Sequence, residues 1–200
     1  MARHFLHPER LVTRREVLEE RNLVPAGPGV YGWWFANSPA PIDLSTCKQS
    51  HGATLLYVGI SPKRPPRNGR APSGQTLRSR VWTHYAGNAE GSTLRKTLGC
   101  LLADELGIEL RRVGSGRRMT FALGEQILSA WMAENALVSW VAVDSPWEVE
   151  EHLIATTDLP LNLMGNARNT FHPELTRVRA RAVARAKALP ILPNPGVGSR

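Results

Sequence analysis

Hydrophobic positions along the chain fall into blocks of two kinds. Residues 30–35 (VYGWWF), 55–60 (LLYVGI) and 138–143 (VSWVAV) are short, rich in β-branched and aromatic side chains, and bounded by turn residues. They predict strands. The other blocks carry helical spacing or helix-start signals. Residues 13–22 open on Thr13 with Glu16 three positions later, the pattern of a capping box, and Pro25, Gly27, Pro28 and Gly29 stop that helix. A helix is expected over 77–85. Ser92 is a natural cap for the next, whose stripe is Leu94, Leu98, Leu101, Leu102 and Leu106, with Gly107 ending it. Residues 124–135 carry Ile127, Leu128, Trp131 and Met132. Ser145-Pro146-Trp147-Glu148 starts a helix that ends near Asp158, before Pro160. Residues 173–188 predict a basic helix, and the last ten residues read as loose.

The polar stretches between these blocks read as loops. Residues 36–53 form a long hairpin connection. Residues 61–76 hold Pro62, Pro65, Pro66 and Pro72 with Lys63, Arg64, Arg67 and Arg70, and no acid. That composition predicts a mobile basic loop.

Composition then narrows the partners. The chain has 200 residues, 42% of them hydrophobic, which suits one domain with a core and excludes a disordered chain. The net charge of +8 favours a polyanionic partner, nucleic acid first among them. Cys47 and Cys100 fit neither a disulfide framework nor a zinc site and read as reduced thiols, with Cys100 in the core. No apolar run suits a signal peptide or a membrane span, so the expected location is the cytoplasm.

Several polar residues lie on otherwise apolar elements. Tyr31 and Tyr57 sit in adjacent predicted strands. Arg80 and His84 share a helix face at i, i+4. Glu150 lies on the helix side that carries Trp147, Leu153 and Ile154, and Asn162 follows Pro160. Taken singly, each has a structural explanation: packing, a solvated charge, a helix-terminal acid, a turn residue.

Their order is more specific. Gly29-Val30-Tyr31, Tyr57-Val58-Gly59, Leu77-Arg78-Ser79-Arg80 with His84, Glu150 to Ile154, and Pro160-Leu161-Asn162 follow one another. This series resembles the GIY-YIG nuclease superfamily, whose two name-giving tripeptides stand here as GVY and YVG. The stretch from Glu150 to Asn162 is similar to the Glu–Asn segment of bacterial excision-repair endonucleases. The loops between Tyr31 and Tyr57 and between Gly59 and Arg80 are longer than is usual in the family.

The resemblance implies an α/β (α+β) fold, a small three-stranded antiparallel sheet flanked by helices, with a basic C-terminal helical tail. It divides the chain into an N-terminal helical segment (1–26), a nuclease domain (27–165) and a tail (166–200). It implies a DNA endonuclease with one Mg²⁺ or Mn²⁺ held by Glu150, since one carboxylate suits a cation that keeps most of its waters. Arg80 would clamp phosphate; it is preferred to Arg78 for the Leu-x-x-Arg pattern and its spacing to His84. Tyr31 or Tyr57 would be the general base, with Tyr31 favoured. His84 would support proton transfer, and Asn162 would orient Glu150 or contact phosphate. Lys63, Arg64, Arg67, Arg70 and Arg78, with the tail helix, would neutralise DNA phosphates. Two other readings are a nucleic-acid-binding module of the same fold that does not cut, and a basic scaffold that docks through Trp33, Trp34 or Trp140, of which Trp140 is expected in the core.

Overall fold

The computed structural model describes residues 2–65 and 73–194. Arg67 and Arg70 lie outside the described residues. Two short helices come first, α1 (Ala2–Phe5) and α2 (Arg14–Glu19). The expected capping box closes α2: Thr13 Oγ1 accepts from Glu16 N, and the Glu16 carboxylate accepts from Thr13 N at 2.8 Å. Strand β1 (Gly29–Phe35) follows, then β2 (Gln49–Ser50) and β3 (Ala53–Ser61). Helices α3 (Leu77–Ala86), α4 (Thr93–Leu101) and α5 (Ala103–Leu106) precede a hairpin of β4 (Arg111–Val113) and β5 (Arg118–Thr120). Then come α6 (Gly124–Asn135), β6 (Ala136–Ala142), α7 (Pro146–Thr156) and α8 (His172–Ala188).

The main sheet is antiparallel in the order β2-β3-β1-β6. It has four strands, one more than expected. The extra strand hides in the 36–53 connection. Gln49–Ser50 pairs with Thr54 and Ala53 across a two-residue turn, His51-Gly52, whose φ angles of 49° and 73° are both left-handed. That is the geometry of a tight hairpin turn, reached here without the Asn-Gly pair that advertises it. The β4–β5 hairpin was likewise not expected. Its strands are three residues each and carry three arginines, Arg111, Arg112 and Arg118, with Arg117 in the turn between them.

Strand β1 is central and buried along its whole length, because both of its edges are paired and both of its faces are covered. On one face Tyr31, Trp33 and Phe35 join Leu56, Leu77, Val81, Leu94, Leu98 and Leu128 from β3, α3, α4 and α6. On the other, Val30 and Trp34 join Leu55, Val58, Leu153 and Leu159. The register slips between Trp33 and Trp34, which leaves Leu56 of β3 without a partner and puts it beside Tyr57 on the first face.

Helix α8 is a working part of the fold. Leu175, Val178 and Ala186 are buried, the last two against the main core, and the helix packs on α4. Of the last ten residues, expected to be loose, 195–200 lie outside the described residues; before them Leu192 bridges to Val113, with its N–H donating to the Arg112 carbonyl at 2.9 Å. Trp33 and Trp34 are fully buried and Trp140 is half-buried, so the first two cannot serve as an exposed docking surface. Both cysteines are buried free thiols. Among the described residues no helix is long and apolar enough to cross a membrane.

Candidate active site

Tyr31 lies mid-strand in β1, opposite Gly59 of β3. The pairing explains the glycine of the YVG tripeptide. A Cβ at Gly59 would stand 2.5 Å from the Tyr31 hydroxyl and 2.6 Å from its Cζ, so the phenol lies across the space a side chain would fill. Tyr57, two residues earlier in β3, is half-buried where Tyr31 is fully buried.

Helix α3 supplies the next pair. Its N-terminus is fixed by Thr76, whose Oγ1 accepts from Ser79 N, and by bonds from Leu77 N and Arg78 N to the Gly27 and Pro25 carbonyls. Arg80 and His84 lie one turn apart. His84 Nε2 is 2.8 Å from the Tyr31 hydroxyl, and its Nδ1 is 2.6 Å from Ser92 Oγ. Ser92 also caps α4, accepting from Arg95 N at 3.0 Å. Trp33 meets the imidazole edge-on, with ring centroids 5.6 Å apart. Arg80 donates to the Gly91 carbonyl at 2.7 Å, and its charge bears on Tyr31, Tyr57 and His84 alike.

Helix α7 packs on β3 and β1 and carries Glu150 into electrostatic reach of both phenols. Burial pushes the Glu150 carboxyl up to about 7, the neighbouring Glu151 adds to this, and Lys63 opposes it. No described donor lies within hydrogen-bond distance of it, while Glu151 pairs with Arg64 at 2.8 Å. Burial raises both tyrosines, Tyr57 to about 12 and Tyr31 beyond the ordinary range, with Arg80 acting against the shift in each. Burial drives His84 well down, and the charges of Arg80 and Arg95 push it further. The imidazole is therefore neutral in the free protein.

The structure thus brings Tyr31, Tyr57, Arg80, His84 and Glu150 together. Asn162 is placed differently. Its Oδ1 accepts from Val58 N and its Nδ2 donates to Val58 O, both at 2.9 Å, so the amide is spent on the backbone beside Tyr57. Arg78 donates from Nε to the Val24 carbonyl at 2.8 Å and ties α3 to the N-terminal segment. Lys63 and Arg64 are exposed at the mouth of the basic loop.

Sequence reasoning missed three residues. Ser92 was read as a cap but not as a partner of His84. Arg95, on the leucine-rich α4, is fully buried and donates to Glu125 at 2.7 Å and to the His84 carbonyl at 3.3 Å. Arg179 of α8 reaches the same neighbourhood. Ser92 signals only a cap and Arg95 signals nothing in the sequence, because their bonds to His84 form only through the fold.

The family model for the GIY-YIG catalytic domain matches residues 29–181, about three-quarters of the chain. The chain belongs to the GIY-YIG catalytic domain family. No curated protein and no solved structure matches it. Membership makes the chain an enzyme of a nuclease family, with phosphodiester hydrolysis as its chemistry and nucleic acid as the substrate it suggests. Nucleases of this family typically use a divalent metal. The match runs from the first glycine of β1 into α8, so it takes in every element that meets at the two tyrosines.

Proposed function

We propose that this GIY-YIG protein is a metal-dependent endonuclease that hydrolyses DNA phosphodiester bonds, with Tyr31 as the proton acceptor. The hydrogen bond between Tyr31 and His84 carries this reading. A buried phenol is a poor base by itself. It becomes a useful one when its own proton has somewhere to go. Ser92 Oγ has lone pairs for both Arg95 N–H and His84 Nδ1–H, which leaves Nε2 free to accept. As the attacking water gives a proton to the Tyr31 oxygen, Tyr31 passes its own proton to His84 Nε2. No free phenolate has to form. Burial is the main cause of His84's neutrality; the arriving phosphodiester offsets the smaller contribution from Arg80 and so favours the protonated imidazole.

Arg80 stays charged throughout and offers a planar fork to two phosphate oxygens. Tyr57, more accessible than Tyr31, hydrogen-bonds the phosphate or the water. Glu150 is a carboxylate in a half-buried position with no described ion-pair partner, a donor suited to Mg²⁺ or Mn²⁺. Bound there, the metal would supply positive charge to the phosphate and to the leaving oxygen. Asn162 contributes by fixing the backbone of β3 next to Tyr57. Lys63 and Arg64 offer exposed cations for DNA phosphates, and Arg78, with Arg67 and Arg70 of the basic loop sequence, are the further candidates; contacts of that kind give affinity without reading sequence.

Tyr31→Phe tests the proton acceptor. The single-turnover cleavage rate should fall by about 10²–10⁴-fold, the range for loss of a general base, with duplex affinity kept. An unchanged rate would remove Tyr31 from that role and move it to Tyr57.

A further inference from the structure

Arg179 stands in the wrong place for a surface arginine. The inward stripe of α8 runs through Leu175, Val178, Ala182 and Ala186, and Arg179 falls one turn beyond Leu175 on that same side. An aliphatic residue would be expected there. Instead a half-buried guanidinium points between α8 and α4, where Nη1 donates to Thr97 Oγ1 at 3.1 Å. Thr97 is itself fully buried. Its charge is within electrostatic reach of the Cys100 thiol and the Tyr57 phenol, and Tyr57 packs against the same core cluster as Val178 and Cys100.

The molecule contains a direct comparison. Arg95 is also buried on a helix of this core, and it is matched by the Glu125 carboxylate and by carbonyl oxygens on several sides. Arg179 has no carboxylate partner among the described residues. A charge withdrawn from water without a counter-ion is costly, and such a charge is retained where an anion completes it. Tyr57, whose phenol feels this charge, belongs to the candidate catalytic cluster, so an anion bound at that site would come within reach of the same guanidinium.

We propose that Arg179 is a second phosphate-holding residue of the active site, delivered by α8 from beyond the strands and helices that carry the other site residues. It rests on the reading of this site as one for nucleic-acid phosphates. It approaches from the Tyr57 side and holds a phosphate of the bound strand while Arg80 acts beside Tyr31. Helix α8 then has two duties, covering α4 and completing the site.

The test compares Arg179→Met, Arg179→Lys and, as a control on the same helix, Arg177→Met, whose guanidinium is already taken by Glu174. Three quantities are measured: melting temperature, affinity for a short DNA duplex in EDTA across a salt series, and single-turnover cleavage with Mg²⁺. Arg179→Met should melt at or above the parent temperature, because it fills an apolar stripe and removes an unmatched charge. It should lose about one unit of salt dependence in binding and cleave about 100-fold more slowly. Arg179→Lys should recover part of the rate, and Arg177→Met should cleave like the parent. A merely structural arginine would give the opposite pattern, a lower melting temperature with cleavage retained, and that result overturns the proposal. If the parent protein cuts nothing, the nuclease reading falls by itself. The EDTA arm then decides on Arg179: weakened, less salt-dependent binding in Arg179→Met supports a phosphate site, and unchanged binding overturns it.

Discussion

Single residues at the centre of the sheet set what the site can do. Gly59 has no side chain because Tyr31 occupies the space. Gly59→Ala is expected to displace the Tyr31 hydroxyl from His84, slowing cleavage by at least about 10²-fold while costing only about 1–3 kcal/mol of stability. Paired rate and urea-melt measurements check this. Glu150 gives a pH signature. Its carboxyl is raised to about 7 from 4.5 on folding, so across that interval it is neutral in the native protein and ionised in the unfolded chain. Native stability therefore falls as pH rises from about 4.5 towards 7 and stays reduced above it. Glu150→Gln removes the penalty. In EDTA the variant should melt a few degrees above the parent at pH 8 and level with it at pH 4. At this scale the tyrosines, Arg80, His84 and Glu150 were nameable as candidates through the family resemblance, and the structure brings them together. The Tyr31–His84–Ser92 chain could not be named in that way, since it joins residues 53 and 8 positions apart that only β1, α3 and the start of α4 bring together.

Elements were legible in proportion to their hydrophobic content. Strands β1, β3 and β6 announce themselves because each buries aromatic and branched residues. Helix α2 announces itself through its cap. Strand β2 is two polar residues long, and β4 and β5 are short and rich in arginine, so none leaves a period to detect. Asn162 makes a contact between elements that its position after Pro160 does not announce. It follows α7 and grips the backbone of β3 with both ends of its amide. Asn162→Ala would leave Val58 N–H and C=O unmatched in a buried place, at about 2–4 kcal/mol. Chemical denaturation should show that loss in full, and any loss of activity should shrink when the protein is assayed well below its unfolding midpoint. Full stability with activity abolished would return Asn162 to direct contact with the substrate.

For the whole molecule, the proposed function gives the basic charge and the fold one purpose. The net charge of +8 supplies long-range attraction for a polyanion, while the cations close to the phenols are few and individually placed. Helix α8, read from the sequence as a basic tail, buries part of its length against α4 and lies partly inside the family match. Its charges were visible in the sequence, but its inward stripe is made mostly of alanine and valine and is faint beside them. The most direct test of the account is cleavage of supercoiled plasmid and of linear and branched DNA with Mg²⁺, Mn²⁺ or EDTA, beside the Glu150→Ala protein. The account predicts cutting with either metal, none in EDTA, and none by Glu150→Ala although that protein still binds DNA. Salt-sensitive binding by the parent with no cutting under any metal, or cutting that survives in Glu150→Ala, would contradict it.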